Sequence, residues 1–83
     1  MLAEKQLRIY PNPVQTELTI SISRYQTSIQ GEYLLYSLGG AILKKGKIEA
    51  ETTRINMSNY QSGTYLLKIS IDNQTTSWKI IKQ

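Results

Sequence analysis

Apolar and polar positions alternate along much of this chain. Glu17-Leu18-Thr19-Ile20-Ser21-Ile22 is the clearest stretch. Leu18, Ile20 and Ile22 share one face, and Thr19, Ser21 and Ser23 share the other. That period of two predicts a half-buried strand. Residues 64–71 repeat it, with Tyr65, Leu67, Ile69 and Ile71 alternating with Thr64, Leu66, Lys68 and Ser70. Shorter strands are predicted at residues 7–10, 32–37, 42–48 and 53–57, with Ile55 and Met57 on one face of the last. A seventh runs over residues 75–82, where Trp78 and Ile80 compete with Ile81 for the inward side. No segment carries a helical period.

The breaks between these strands have turn chemistry. Pro11-Asn12-Pro13 ends the first strand. Each proline removes a donor and disfavours helical geometry before it, so a rigid extended turn at a sheet edge is expected. Residues 24–30 form a polar connection. Gly39-Gly40 offers positive φ angles for a tight hairpin, and Gly46 suggests a bulge. Residues 58–62 turn before Gly63, and Asp72-Asn73 suits a hairpin tip. Seven short strands with turn signals about every 8–12 residues predict an all-β fold, an antiparallel sandwich or small barrel, with the two-sheet sandwich preferred. Tyr60-Gln61-Ser62-Gly63-Thr64-Tyr65 loosely matches the tyrosine corner of immunoglobulin-like sandwiches, in which the ring packs inward and the hydroxyl binds backbone.

Composition narrows the function. The 83 residues suffice for one domain. Residues 7–83 are expected to form it, and residues 1–6 read as a linker remnant with Met1 as an expression start. The chain has neither cysteine nor histidine. Disulfides and thiolate metal sites are excluded, and the commonest general base is missing. The plentiful serine and threonine hydroxyls therefore lack an activating partner. Six acidic residues fall at strand ends and turns, where solvated surface charge is the expected role. A carboxylate pair of glycosidase type would need a cleft that so small a sandwich hardly offers. No catalytic, cofactor or metal site is expected. The net charge is +4. Lys44, Lys45 and Lys47, near Tyr33 and Tyr36, allow an oligonucleotide-binding sheet, but lysines also protect edge strands, and that role is preferred. No stretch approaches the roughly 20 apolar residues of a spanning helix, and no secretory leader is visible.

Four segments stand out in order: Ile9-Tyr10-Pro11-Asn12-Pro13, Leu35-Tyr36-Ser37-Leu38-Gly39-Gly40, Met57 to Ile69, and Trp78-Lys79-Ile80-Ile81-Lys82-Gln83. Together they resemble one family, the C-terminal sorting domain (type A) of proteins exported by the type IX secretion system. Ile9-Tyr10-Pro11-Asn12-Pro13 is similar to the opening Tyr-Pro-Asn-Pro of that family. Leu35-Tyr36-Ser37-Leu38-Gly39-Gly40 is similar to its central hairpin. Met57 to Ile69, containing Gly63, Tyr65 and Lys68, is similar to its Leu-x-x-Gly-x-Tyr-x-Leu-x-Ile segment. Trp78-Lys79-Ile80-Ile81-Lys82-Gln83 is similar to its basic and hydrophobic end. The chain departs from the pattern at Ser37, Ala41 and Tyr60, where the family commonly has Asp, Lys or Arg, and Leu. Ser37 can still cap the turn, and Tyr60 can still fill an apolar slot.

The resemblance implies an immunoglobulin-like sandwich of about seven strands. It also implies a secretion signal carried behind a larger cargo, which passes through the periplasm and reaches the outer-membrane surface or the medium. The partners would be the type IX outer-membrane machinery and its sortase-like peptidase, which commonly cuts ahead of the domain. No nucleic acid is implied. Two recognition features are expected. One is the last strand, including Ile80, Ile81 and Gln83, read through its backbone if it lies at an edge. The other is a basic face made of Lys68, Lys79 and Lys82. Edge strands also allow a weak homodimer. A contrasting reading is an accessory carbohydrate-binding or adhesive module, which would display Tyr25, Tyr33, Tyr36 and Trp78 on one flat face.

Overall fold

The computed structural model describes residues 7–23, 31–72 and 74–83. The leading segment 1–6, the connection 24–30 and Asn73 lie outside them. The described residues contain seven strands: β1 (Leu7–Tyr10), β2 (Glu17–Ile22), β3 (Gly31–Ser37), β4 (Ile42–Ile48), β5 (Thr52–Asn56), β6 (Gly63–Ile71) and β7 (Gln74–Lys82). Every strand expected from the alternation is present, with β3, β6 and β7 each starting one residue earlier and β5 shifted by one.

The strands form two sheets, one ordered β1-β2-β5 and the other β4-β3-β6-β7. All pairings between the strands are antiparallel. The inner faces of both sheets supply one core, as a sandwich requires. Leu18, Ile20, Ile22 and Ile55 come from the first sheet; Tyr33, Leu35, Ile48, Leu67, Ile69 and Ile80 come from the second. The alternation creates this core directly, because a strand turns every second residue to the same side. Met57 lies just beyond β5 but is fully buried, and its N–H donates to the Thr16 carbonyl at 2.7 Å.

Two turn expectations need correction. Gly46 is not a bulge: it stands in regular register opposite Tyr33. A Cβ there would lie 2.7 Å from Tyr33 Cε2 and from its hydroxyl oxygen. The position is glycine because the Tyr33 ring covers it. The register shift in this hairpin falls instead at Leu43, between the pairs Leu35–Lys44 and Tyr36–Ile42. Nor do both glycines of the β3–β4 turn need positive φ. Gly40 alone does, at 95°. The loop is three residues long, closed by Ser37 N–H to the Ala41 carbonyl at 2.9 Å and Gly40 N–H to the Ser37 carbonyl at 3.0 Å. That is the form in which a type I turn is followed by one left-handed residue. Ser37 Oγ accepts a further bond from Ala41 N–H at 3.2 Å, the capping role expected of it. At the β6–β7 turn Asp72 adopts φ 49°, the left-handed geometry that aspartate tolerates.

Candidate functional site

The strand register gathers the four sequence landmarks at one end of the sandwich. β1 ends at Tyr10, opposite Thr19 near the start of β2. β3 ends at Ser37, opposite Tyr65 near the start of β6. Gly63 and Thr64 open β6 opposite Lys82 and Ile81 at the end of β7. The proline turn, the glycine hairpin, the Gly63–Tyr65 corner and the last strand thus form one pole, although Tyr10 and Gln83 are more than seventy positions apart.

The proline turn is fastened to the last strand by hydrogen bonds. Both prolyl peptide bonds, Tyr10-Pro11 and Asn12-Pro13, are cis. Asn12 Nδ2 donates to the Lys79 carbonyl at 2.8 Å, and Asn12 Oδ1 accepts the Ile81 N–H at 2.9 Å. Val14 continues the contact: its N–H donates to the Ile81 carbonyl at 2.8 Å, and its carbonyl accepts the Gln83 N–H at 2.9 Å. Val14 and Lys82 therefore form a short parallel bridge, and Val14 is fully buried. The side chains of Gln15 and Gln83 meet at 3.4 Å. This clasp joins the three-stranded sheet to the edge of the four-stranded one. The sequence reading stopped at Pro13 and missed Val14. Its signal was a lone apolar residue directly after the proline turn.

The clasp settles which way β7 faces. Trp78, Ile80 and Lys82 turn inward, and Ile81 turns outward with 36% of its surface exposed. Lys82 is buried and donates from Nζ to the Gln83 carbonyl at 2.8 Å. It therefore does not join Lys68 and Lys79, which point outward, so the expected basic face loses that member. The outer edge of β7 is also partly occupied. Backbone groups of residues 79, 81 and 83 are taken by Asn12 and Val14, so only the first half of β7 is left for backbone pairing with another chain.

Tyr65 completes the pole. Its hydroxyl donates to the Gln61 carbonyl at 2.6 Å, and its ring lies 5.8 Å from that of Tyr60. This is the tyrosine corner expected from the sequence: an inward ring with a hydroxyl fastened to backbone four residues upstream. Tyr60 is half-buried against the core, filling the apolar slot.

Glu17 pairs loosely with Arg54 at 3.6 Å on the surface. No group of three or more acidic residues converges on a metal-sized site among the described residues. Burial pushes the Tyr33 phenol above its ordinary value, with the Tyr60 phenol adding to it. The aromatic platform of the contrasting reading does not form: Tyr33 is buried, Trp78 faces inward and half-buried, and Tyr36 points the other way. Tyr25 lies outside the described residues. No described helix is long and apolar enough to cross a membrane.

Comparison with known proteins assigns this architecture. No curated protein matches the chain significantly. The family described as secretion system C-terminal sorting domain matches residues 8–83, covering all four landmarks and every strand apart from Leu7 at the start of β1. It is a family of sorting signals rather than of enzymes, and its members are recognised by the type IX machinery as the tails of cargo proteins bound for the surface or the medium. The chain belongs to this family and is a C-terminal sorting domain of the type IX secretion system.

Proposed function

We propose that the type IX machinery reads this module in its folded form, at the pole where the four landmarks meet. The observation that carries the reading is the clasp of Asn12 and Val14 on β7. It ties the first landmark to the last at one end of the fold, where Tyr10, Ile81 and Gln83 are all exposed. The module itself performs no catalysis. Leu7 pairs with Ile22 at the opposite pole, so the chain enters the domain far from the proposed recognition surface. A cargo ahead of Leu7 would leave the landmark pole free, and a sortase-like peptidase could cut the leading segment while that pole is held. In this reading the cargo crosses the periplasm with the domain already folded.

The test is a fusion of the whole 83-residue chain behind a fluorescent reporter with a periplasmic export signal, in a host with the type IX machinery. The reporter should reach the surface or the medium; retention in the periplasm would end the proposal. Deleting residues 79–83 is a poor probe, because Ile80 is fully buried and its loss would unfold the domain. Ile81→Ser is the better one. It alters an outward side chain and keeps the backbone clasp, and a fall in export with an unchanged circular dichroism spectrum is expected.

A further inference from the structure

The outer face of the four-stranded sheet is not an ordinary polar surface. The cross-strand register sets Ile42, Tyr36, Leu66 and Lys79 in one row across it. The next row holds Lys45, Leu34, Lys68 and Ser77, and the third holds Lys47, Glu32, Ser70 and Thr75. The irregularity at Leu43 matters here, since it turns Ile42 onto the outer side with Tyr36. Ile42 is 57% exposed, Leu66 39% and Ile81 36%. Ile42, Tyr36 and Leu66 are neighbours in the first row and Ile81, opposite Thr64, stands diagonally from Leu66, so they form a contiguous apolar band, unlike the scattered single residues that surfaces normally show. With neighbouring strands about 4.8 Å apart, the four-stranded row spans about 14 Å. The outer face of the other sheet differs: there Tyr10 is a single exposed aromatic opposite Thr19, among Arg8, Glu17, Ser21, Thr52 and Arg54, and no band forms.

The charges on this face are one-sided. Lys45, Lys47, Lys68 and Lys79 stand against one acid, Glu32, which is opposite Lys47. Lysines flank the apolar band within the plane of the sheet. A second copy of the chain would bring like charges together, which disfavours a symmetric pairing of this face. A bilayer surface would suit apolar side chains that project freely, whereas Leu66 and Ile81 are each less than two-fifths exposed. An acidic protein surface with aliphatic side chains of its own complements both features.

We propose that this face is a docking surface for an acidic, partly apolar protein surface, with Ile42, Tyr36 and Leu66 as the contact band and Lys45, Lys68 and Lys79 as its charge partners. The inference rests on the sorting reading and adds the face and the chemistry of the partner. The row ends at Lys79 beside the Asn12 clasp, so the docking face continues the landmark pole.

The same reporter fusion tests it. Reversing Lys45, Lys68 and Lys79 to Glu is expected to lower export at least tenfold, with Tm and circular dichroism close to those of the unaltered chain. Leu66→Ser with Ile42→Ser should lower it as well. Arg8→Glu, on the other sheet, should leave export unchanged. If the triple variant does not fold, Lys68→Glu and Lys79→Glu are made singly, and each should lower export several-fold. Normal export of the folded charge variants overturns the docking face while leaving the sorting reading intact. Retention of the unaltered fusion removes the sorting reading itself. Two further results would overturn the choice of partner. One is binding to vesicles of phosphatidylglycerol and phosphatidylethanolamine that the triple variant abolishes. The other is a dimer in sedimentation that the triple variant dissociates.

Discussion

The side-chain amide of Asn12 straddles β7, accepting from the N–H of Ile81 and donating to the carbonyl of Lys79, 69 and 67 positions away in the chain. One asparagine thereby satisfies two edge groups of the last strand that a sandwich otherwise leaves to water or to another chain. The proline turn is thus a fastening device as well as a chain reversal.

Asn12→Ala removes both bonds and should destabilise the domain by about 1–3 kcal/mol. The Ile81 amide should exchange with solvent faster than in the unaltered chain, as measured by hydrogen–deuterium exchange. Asn12→Asp keeps an acceptor for Ile81 but places a carboxylate oxygen against the Lys79 carbonyl. It should fall between the two in Tm, and an Asp variant as stable as the original would show that the Lys79 bond contributes nothing.

Tyr65→Phe tests the corner. The ring stays, and only the 2.6 Å bond to the Gln61 carbonyl is lost. A loss of about 1–1.5 kcal/mol is expected, or a fall in Tm of roughly 4–12 °C for a domain of this size. An unchanged Tm would mean that the Gln61 carbonyl is as well served by water.

Gly46→Ala should cost about 1–3 kcal/mol, because its Cβ would strike the Tyr33 ring. The cost belongs to the pair. In a Tyr33→Leu background the same change should cost much less, and a double-mutant cycle in urea measures the coupling. Equal costs in both backgrounds would place the strain elsewhere on β4.

Tyr33 also gives the domain a dependence on alkaline pH. Burial raises its phenol above the ordinary 10.0, with the Tyr60 phenol pushing the same way. The folded state therefore holds this proton more tightly than the unfolded chain. Below pH 10 both states keep it, and its contribution to stability is complete. As pH rises past 10 the unfolded chain releases the proton first, and that stability is lost progressively until the folded phenol also ionises. Tyr33→Phe should lose less stability over this window than the unaltered chain in Tm measured against pH. Parallel curves would rule Tyr33 out as the cause.

Much of this architecture was legible in the residues. The period of two in β2 and β6 marked the sheet faces, and the buried side chains of Leu18, Ile20, Ile22, Tyr65, Leu67 and Ile69 follow it. The Gly63-Thr64-Tyr65 spacing announced the corner. These are local matters: alternation and turn chemistry act over a few residues, so the chain displays them without its fold.

Tertiary structure decided the rest. In β7 Trp78, Ile80 and Ile81 offered both faces apolar groups, and only the pairing with β6, which sets Ile80 beside buried Tyr65 and Ile81 beside Thr64, together with the Val14–Ile81 bonds, put Ile80 inside and Ile81 outside. The same choice buried Lys82, whose position among basic residues had suggested a surface role. Gly46 suggested a bulge because nothing nearby in sequence shows that a ring thirteen residues earlier will lie over it. The gathering of Tyr10, Gly40, Gly63 and Gln83 at one pole came from pairing register, a long-range quantity. Periodicity along a chain reports which side a residue faces; it carries no record of which distant strand will lie beside it.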